Sequence, residues 1–437
     1  MNFRRLLLVV YVVWSGLFGL NTNSFAQTKI VVLADTHVMA PELLVSDGTA
    51  WQHFLAEDRK MVDHSKAIFD TMVERLKNEI KPQLLLIPGD ITKDGELLSH
   101  QYAVSKLDEL RQHGIHTLVI PGNHDLGTRN AIYYDGANTT KAVTATAADF
   151  AKLYAPYGYG EHSERENSTL TYCTEPVPGI VVIGIDSGEN GYLSNLTLNW
   201  VCNKAEEAHK AGKQVLAMMH HPLFPHFYGV DKFVNSAVIA DYELVRNRLA
   251  DAGIRVILTG HFHTSDIAKG SNADLSKHIY DINTGSLISY PCDYRVLTLS
   301  ADCKQLAVAT GHVTAIPGDD HFHDTAKHRL THSIRSNVEN MSFGIHLLAN
   351  EAAECFVVHA EGNEHKSSQA QQLLQKFLGI AKKADELAAM IPSMKHRIAD
   401  VEKMANSVLR DISDYGDPAR ANQTDDLELS IEMGEVQ

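Results

Sequence analysis

Short apolar runs alternate with stretches of helical period from residue 29 to residue 259, and no other property of the chain constrains its fold as much. The runs at 29–34, 84–87, 116–120, 180–183, 215–219 and 255–259 are apolar through their centres, as strands covered on both faces must be. Between several of them, 62–79, 97–112, 196–211 and 241–252 show the spacing of amphipathic helices. This βαβ rhythm predicts an α/β domain. Two further strands, at 278–282 and 296–299, follow without a long helix between them, so the domain should end near residue 315 in a more antiparallel part.

Two insertions interrupt the rhythm, at 38–58 and at 127–169, and both are longer than ordinary βα connections. They are expected to act as lids or binding loops. Beyond Pro317 the pattern changes, and 325–350 and 367–412 read as helical. The predicted organisation is a signal peptide over 1–26, a catalytic domain over 27–316, a helical extension over 317–415 and an acidic disordered tail over 416–437. The signal rests on Arg4 and Arg5, an apolar stretch from Leu6 to Leu20, and Ser24-Phe25-Ala26 as a small-x-small cleavage site. Cleavage after Ala26 implies a secreted or periplasmic protein with no membrane span once the signal is gone.

Composition narrows the function. With 437 residues, 44% hydrophobic and 21% charged, the chain is neither wholly disordered, collagen-like nor a multi-span membrane protein. Its formal charge of −15 lacks the basic footprint of a nucleic-acid-polymer binder. The five cysteines are an odd number, so at least one stays unpaired. Cys292 and Cys303 flank an apparent strand and are the candidate pair, against buried thiols throughout. The chain holds 24 histidines, so a lone histidine says little and placement must carry the argument.

Placement does carry it. The first strand stops at Asp35-Thr36-His37, the second at Gly89-Asp90, and the third at Gly122-Asn123-His124-Asp125. The run at 215–219 leads into His220-His221-Pro222, and that at 255–259 into Gly260-His261-Phe262-His263. In open α/β sheets, ligands bind beyond the carboxyl ends of the strands. Aspartate, histidine and asparagine converging there suit a borderline metal such as zinc, manganese or iron. The second His-Phe-His, at His321-Phe322-His323, follows no clear strand and is expected in a solvated loop.

The ordered blocks D-x-H, G-D, G-N-H-D, H-x-P and G-H-x-H resemble those of the calcineurin-like metallophosphoesterase superfamily, over about residues 29–316. The resemblance implies a layered α/β/β/α sandwich of two mixed sheets, here with a helical C-terminal extension. It implies two metal ions, divalent or mixed-valence and of iron, manganese or zinc. Asp35, His37, Asp90 and His263 would hold the first ion, and Asp90, Asn123, His220 and His261 the second, with Asp90 bridging. His220 is preferred to His221 because the family ligand stands two residues before Pro222. His124 would be the catalytic histidine that does not bind metal, with Asp125 either orienting it or serving as a turn or cap residue.

The reaction so implied is hydrolysis of a small phosphoester, with the ions activating water for in-line attack. Lys93 stands where purple acid phosphatases carry a tyrosine ligand, so no iron–tyrosinate centre is expected. A phosphodiesterase of the cyclic-nucleotide or glycerophosphodiester type is the leading reading. A phosphomonoesterase on the same centre and a metal-stabilised binding protein are the alternatives. Trp51, Arg59 and Lys60, then Arg129, Tyr133 and Tyr134, and finally Tyr290 and Arg295 are candidate substrate contacts, although a structural role is the simpler reading of each. His359, Glu361 and His365 form a polar cluster expected in an exposed loop at a helix end.

Overall fold

The computed structural model describes residues 27–128, 130–226, 236–341, 346–362 and 428–433. The signal segment and the whole of the second predicted C-terminal helical stretch, 367–412, lie outside them.

The strands in chain order are β1 (Thr28–Val32), β2 (Leu44–Ser46), β3 (Leu84–Pro88), β4 (His116–Ile120), β5 (Ile132–Asp135) and β6 (Asn138–Lys141). Next come β7 (Glu164–Arg165), β8 (Tyr172–Val177), β9 (Ile180–Ile185), β10 (Gln214–Met219) and β11 (Val256–Thr259). The last are β12 (Asp266–Ser271), β13 (His278–Asn283), β14 (Asp293–Leu299), β15 (Gln305–His312) and β16 (Glu428–Glu432). The longer helices are α1 (Thr49–Glu57), α2 (Ser65–Arg75), α3 (Leu97–Gln112), α4 (Ala147–Leu153), α5 (Asn195–Lys210), α6 (Tyr242–Asp251), α7 (Phe322–Met341) and α8 (His346–Ala360).

One sheet runs β16-β15-β14-β1-β3-β4 and the other β12-β13-β11-β10-β9-β8-β7. Each has a parallel centre, β1-β3-β4 in the first and β9-β10-β11-β13 in the second, with antiparallel strands added outside. Period-two alternation explains how they stack. Val182, Leu216, Met218 and Leu258 join the core shared with the first sheet. Their neighbours Val181, Ile183, Val215, Ala217 and Ile257 pack on the other side with Val201 and Ala205 of α5 and Val245 and Leu249 of α6. On the far face of the first sheet, Ile68, Phe69 and Met72 of α2 and Leu107 of α3 complete the cover. The fold is therefore an α/β/β/α sandwich of two mixed sheets.

The insertions are not separate lids. β2 from the first pairs in parallel with β5 from the second, and β5 with β6 form a hairpin, giving a third, three-stranded sheet. Trp51 and Tyr134 lock the two together, with ring centroids 4.8 Å apart.

The C-terminal part differs from expectation in two places. Residues 428–432, expected in a disordered tail, form edge strand β16 antiparallel to β15. Its alternation of Leu429, Ile431 and Met433 with polar residues outweighs the acidic composition, and Ile431 and Met433 are buried. Phe322 and His323 open α7, with Phe322 fully buried, while His321 stays in the exposed turn before it. Cys292 and Cys303 are free thiols, in line with the unpaired alternative.

Candidate metal centre

The site residues stand just past the carboxyl ends of β1, β3, β4, β10 and β11. Asp35, His37, Asp90, His261 and His263 all adopt left-handed backbone angles, with φ between 38° and 74°. Non-glycine residues pay roughly 1–3 kcal/mol each for such conformations, which cluster at functional sites. The turns that impose them are tight. A Cβ on Gly122 would collide with the Asp90 carboxylate, and one on Gly260 with that of Asp35. The Asp35 carboxylate accepts from the His261 amide at 2.9 Å, and Asn283 holds the Gly260 carbonyl at 2.6 Å.

Two donor clusters share one carboxylate. In the first, ligand atoms of Asp35, His37, Asp90 and His263 all lie within 4.8 Å of one another. His263 Nε2 is 3.2 Å from both His37 Nε2 and Asp35 Oδ1. In the second, Asn123 Oδ1 lies 3.0 Å from His220 Nε2 and 3.0 Å from His261 Nδ1. Asp90 Oδ2 reaches into both, 3.7 Å from His37 Nε2 and 3.3 Å from His220 Nε2.

The outward faces of the rings fix where their protons sit. His220 Nδ1 donates to the Pro88 carbonyl at 2.9 Å, and His261 Nε2 to the Ser236 carbonyl at 3.1 Å. In the neutral rings the opposite nitrogens are then lone pairs, and both aim at Asn123 Oδ1. Lone pairs converging beside a carboxylate fit a cation, and fixing a ring through its second nitrogen is how proteins orient metal-binding histidines. Asp90 draws positive charge to this point, and a proton on His220 stands where an ion would displace it. Burial pulls His220 down, but Asp90 outweighs it and carries the imidazole up to about 9. Burial, helped by His220, pushes His261 down to about 4. His221 stays outside the cluster, with Nδ1 2.8 Å from the Ser187 hydroxyl.

His124 lies against the centre without joining it. Its amide donates to Asp90 Oδ1 at 2.8 Å, and its ring meets that of His37 edge-on at 4.9 Å. Nδ1 donates to Asp94 Oδ1 and to the Lys93 carbonyl, both at 2.9 Å. Burial lowers its pKa, yet Asp90 and Asp94 prevail and raise it above the ordinary histidine value.

Asp125 does not orient His124, which corrects that expectation. Its buried carboxylate accepts from the Ile91, Thr92 and Gly122 amides at 3.1, 2.9 and 2.9 Å and from the Thr92 hydroxyl at 2.8 Å. It ties the turn after β3 to the turn after β4. Asp94 is the residue sequence reasoning missed. Its second oxygen pairs with buried Lys93, whose ammonium lies 4.9 Å from the centre of the Phe54 ring. The only signal was adjacency to the Gly-Asp block.

Over the centre lies a cavity of about 480 Å³. Asp90, Asn123, His124, His261 and His263 form its floor, and Arg59, Lys60 and Tyr290 line its sides. Leu330 and Ile334 of α7 and Phe356 and His359 of α8 complete it. His359 is thus a buried cavity residue and not part of an exposed loop, while Glu361 accepts from the Tyr290 hydroxyl at 2.5 Å. His365 and Arg129 lie outside the described residues. Trp51, Tyr134 and Arg295 are structural, Arg295 being buried and donating to the Asn283 carbonyl at 3.0 Å.

The calcineurin-like phosphoesterase family model matches residues 28–265, the segment that contains every one of these strand-end blocks. The chain belongs to the calcineurin-like phosphoesterase family. A protein of Arcobacter nitrofigilis named a probable glycerophosphodiester phosphodiesterase GpdQ is 25% identical over 243 residues, 54% of this chain and 71% of that one. A dimetal phosphatase from Danio rerio aligns over 65% of this chain and 96% of its own, with 12% identity and a TM-score of 0.44. The NAD nucleotidase NadN of Haemophilus influenzae aligns over 66% of this chain and 49% of its own, with 12% identity and a TM-score of 0.32.

This phosphoesterase is a metal-dependent phosphoester hydrolase. The family's dinuclear centre fits its residues: nitrogen and oxygen donors, no sulfur, and a buried carboxylate facing both clusters. Among the described residues no helix is long and apolar enough to cross a membrane.

Proposed function

We propose that this phosphoesterase is an exported phosphodiesterase that hydrolyses a small phosphodiester at a dinuclear centre. Asp35, His37, Asp90 and His263 hold one ion, and Asp90, Asn123, His220 and His261 the other. When bound, the pair supplies an activated water at neutral pH and neutralises charge on the phosphoryl oxygens. Arg59 and Lys60 favour an anion in the cavity. His124, held through Nδ1 by Asp94, turns Nε2 towards the leaving oxygen and delivers its proton.

The observation that carries the diesterase reading is the size of the cavity. Its 480 Å³ reach from the donor clusters to α7 and α8, which leaves room for a second ester group beyond the phosphate. The name of the Arcobacter relative points the same way. A monoesterase is the second reading, since two cations beside the floor suit a dianionic phosphate. Turnover of bis-p-nitrophenyl phosphate against p-nitrophenyl phosphate decides between them. A higher kcat/KM on the diester is expected, and the reverse order would establish the monoesterase.

A further inference from the structure

The helices α7 and α8 do more than cover the core. Their inward side chains at the cavity are Leu330, Ile334 and Phe356, joined from the catalytic domain by Phe262 and Ala237. Leu330 and Ile334 are each only 8% exposed, and yet a space of about 480 Å³ separates this wall from the metal donors. Close-packed interiors leave few voids larger than a water molecule, whereas ligand pockets span about 300–1,000 Å³. This space is therefore a pocket and not a fault in packing. It is polar and cationic at the floor and sides and hydrocarbon at the top.

The wall is also held rigidly. Arg329 of α7 makes a paired contact with Asp63 at 2.7 and 2.6 Å and donates to the Lys60 carbonyl at 3.3 Å. Lys327 and Tyr290 both reach Glu361, at 2.7 and 2.5 Å, which ties the two helices to the loop after β13. The one polar cavity side chain of α8, His359, stands 3.5 Å from the Thr264 hydroxyl. A surface fixed in this way binds at a smaller ordering cost.

We propose that α7 and α8 select the substrate, and that they select a phosphodiester carrying a hydrocarbon substituent, seated against Leu330, Ile334 and Phe356 while the phosphate lies over the donor clusters. This rests on the diesterase reading above and adds to it the class of the second ester group. A small polar substituent such as glycerol would leave its hydroxyls facing apolar side chains, a loss of hydrogen bonds that proteins penalise.

The test uses the full mature chain with its metals and two substrates with one leaving group, methyl p-nitrophenyl phosphate and hexyl p-nitrophenyl phosphate. The chemical step is then common to both, and the ratio of kcat/KM reads the substituent. The hexyl ester should be favoured by roughly tenfold or more, since each methylene seated in an apolar pocket counts. Phe356→Asn should bring the ratio towards unity. Ile334→Trp, which fills the pocket without adding polarity, should lower the ratio even if the asparagine variant fails to fold. A wild-type ratio at or below unity overturns the inference, as does a ratio unchanged in Ile334→Trp. If neither diester is hydrolysed while p-nitrophenyl phosphate is, the diesterase reading falls and takes the inference with it. Good turnover of both diesters without preference removes the inference alone.

Discussion

His124 donates through Nδ1 to Asp94 Oδ1 at 2.9 Å, and no described residue hydrogen-bonds its Nε2, so the ring is fixed from behind with its other nitrogen at the cavity wall. Carboxylate and imidazole together make a held acid. His124→Ala should keep both metals and lose roughly 10²–10⁴ in kcat on a diester with an alkyl leaving group. The loss should be smaller with p-nitrophenol, which leaves without much help. Asp94→Asn should lose about tenfold, with the same dependence on leaving group and with metal content unchanged. An equal loss across leaving groups in either variant would assign the pair to phosphate positioning and not to acid catalysis.

Asp125 is expected to behave differently. Its carboxylate takes four hydrogen bonds from buried donors, and an unsatisfied buried donor costs about 1–3 kcal/mol. Asp125→Ala should therefore lower unfolding free energy by about 3–5 kcal/mol and loosen both ion sites, because Asp90 and Asn123 sit on the turns it joins. Denaturant unfolding and metal analysis check this. A variant of wild-type stability that is merely slow would restore a direct catalytic role.

The difference between these two aspartates shows how far the sequence could be read. The two donor clusters were legible because each member ends a strand, and strand ends converge by topology. Asp94 was not legible, because its role depends on the path of the loop after β3 and not on any spacing. His359 and the hydrocarbon wall were hidden for a similar reason: a helix reveals its buried face by period, but not that a cavity lies against it. In the tail, β16 lost to composition, as acidic residues masked the alternation of Leu429, Ile431 and Met433.

A pH dependence of stability follows from His226, which is buried between Asp266 and Asp281. Burial alone would lower its pKa, but Asp281 and Asp266 carry it to about 10. The folded value lies above the unfolded value of about 6.5, so the stabilisation is complete below about 6.5 and is lost as pH rises through about 10. It should amount to a few kcal/mol. The stability difference between wild type and His226→Asn should shrink steadily from pH 6.5 to pH 10. A difference that does not vary with pH would show that this histidine is not charged in the fold.

Export is tested at the N-terminus. The exported protein should begin at Gln27 and remain in the soluble fraction. Recovery of the intact Met1 form in the membrane pellet would overturn both the cleavage and the location.

The centre itself is tested most directly by anomalous scattering from crystals of the protein with the metals it acquires on expression. Two peaks are predicted, one among Asp35, His37, Asp90 and His263, the other among Asp90, Asn123, His220 and His261, with Asp90 in contact with both. A single peak, or two peaks of which Asp90 touches only one, would contradict the account.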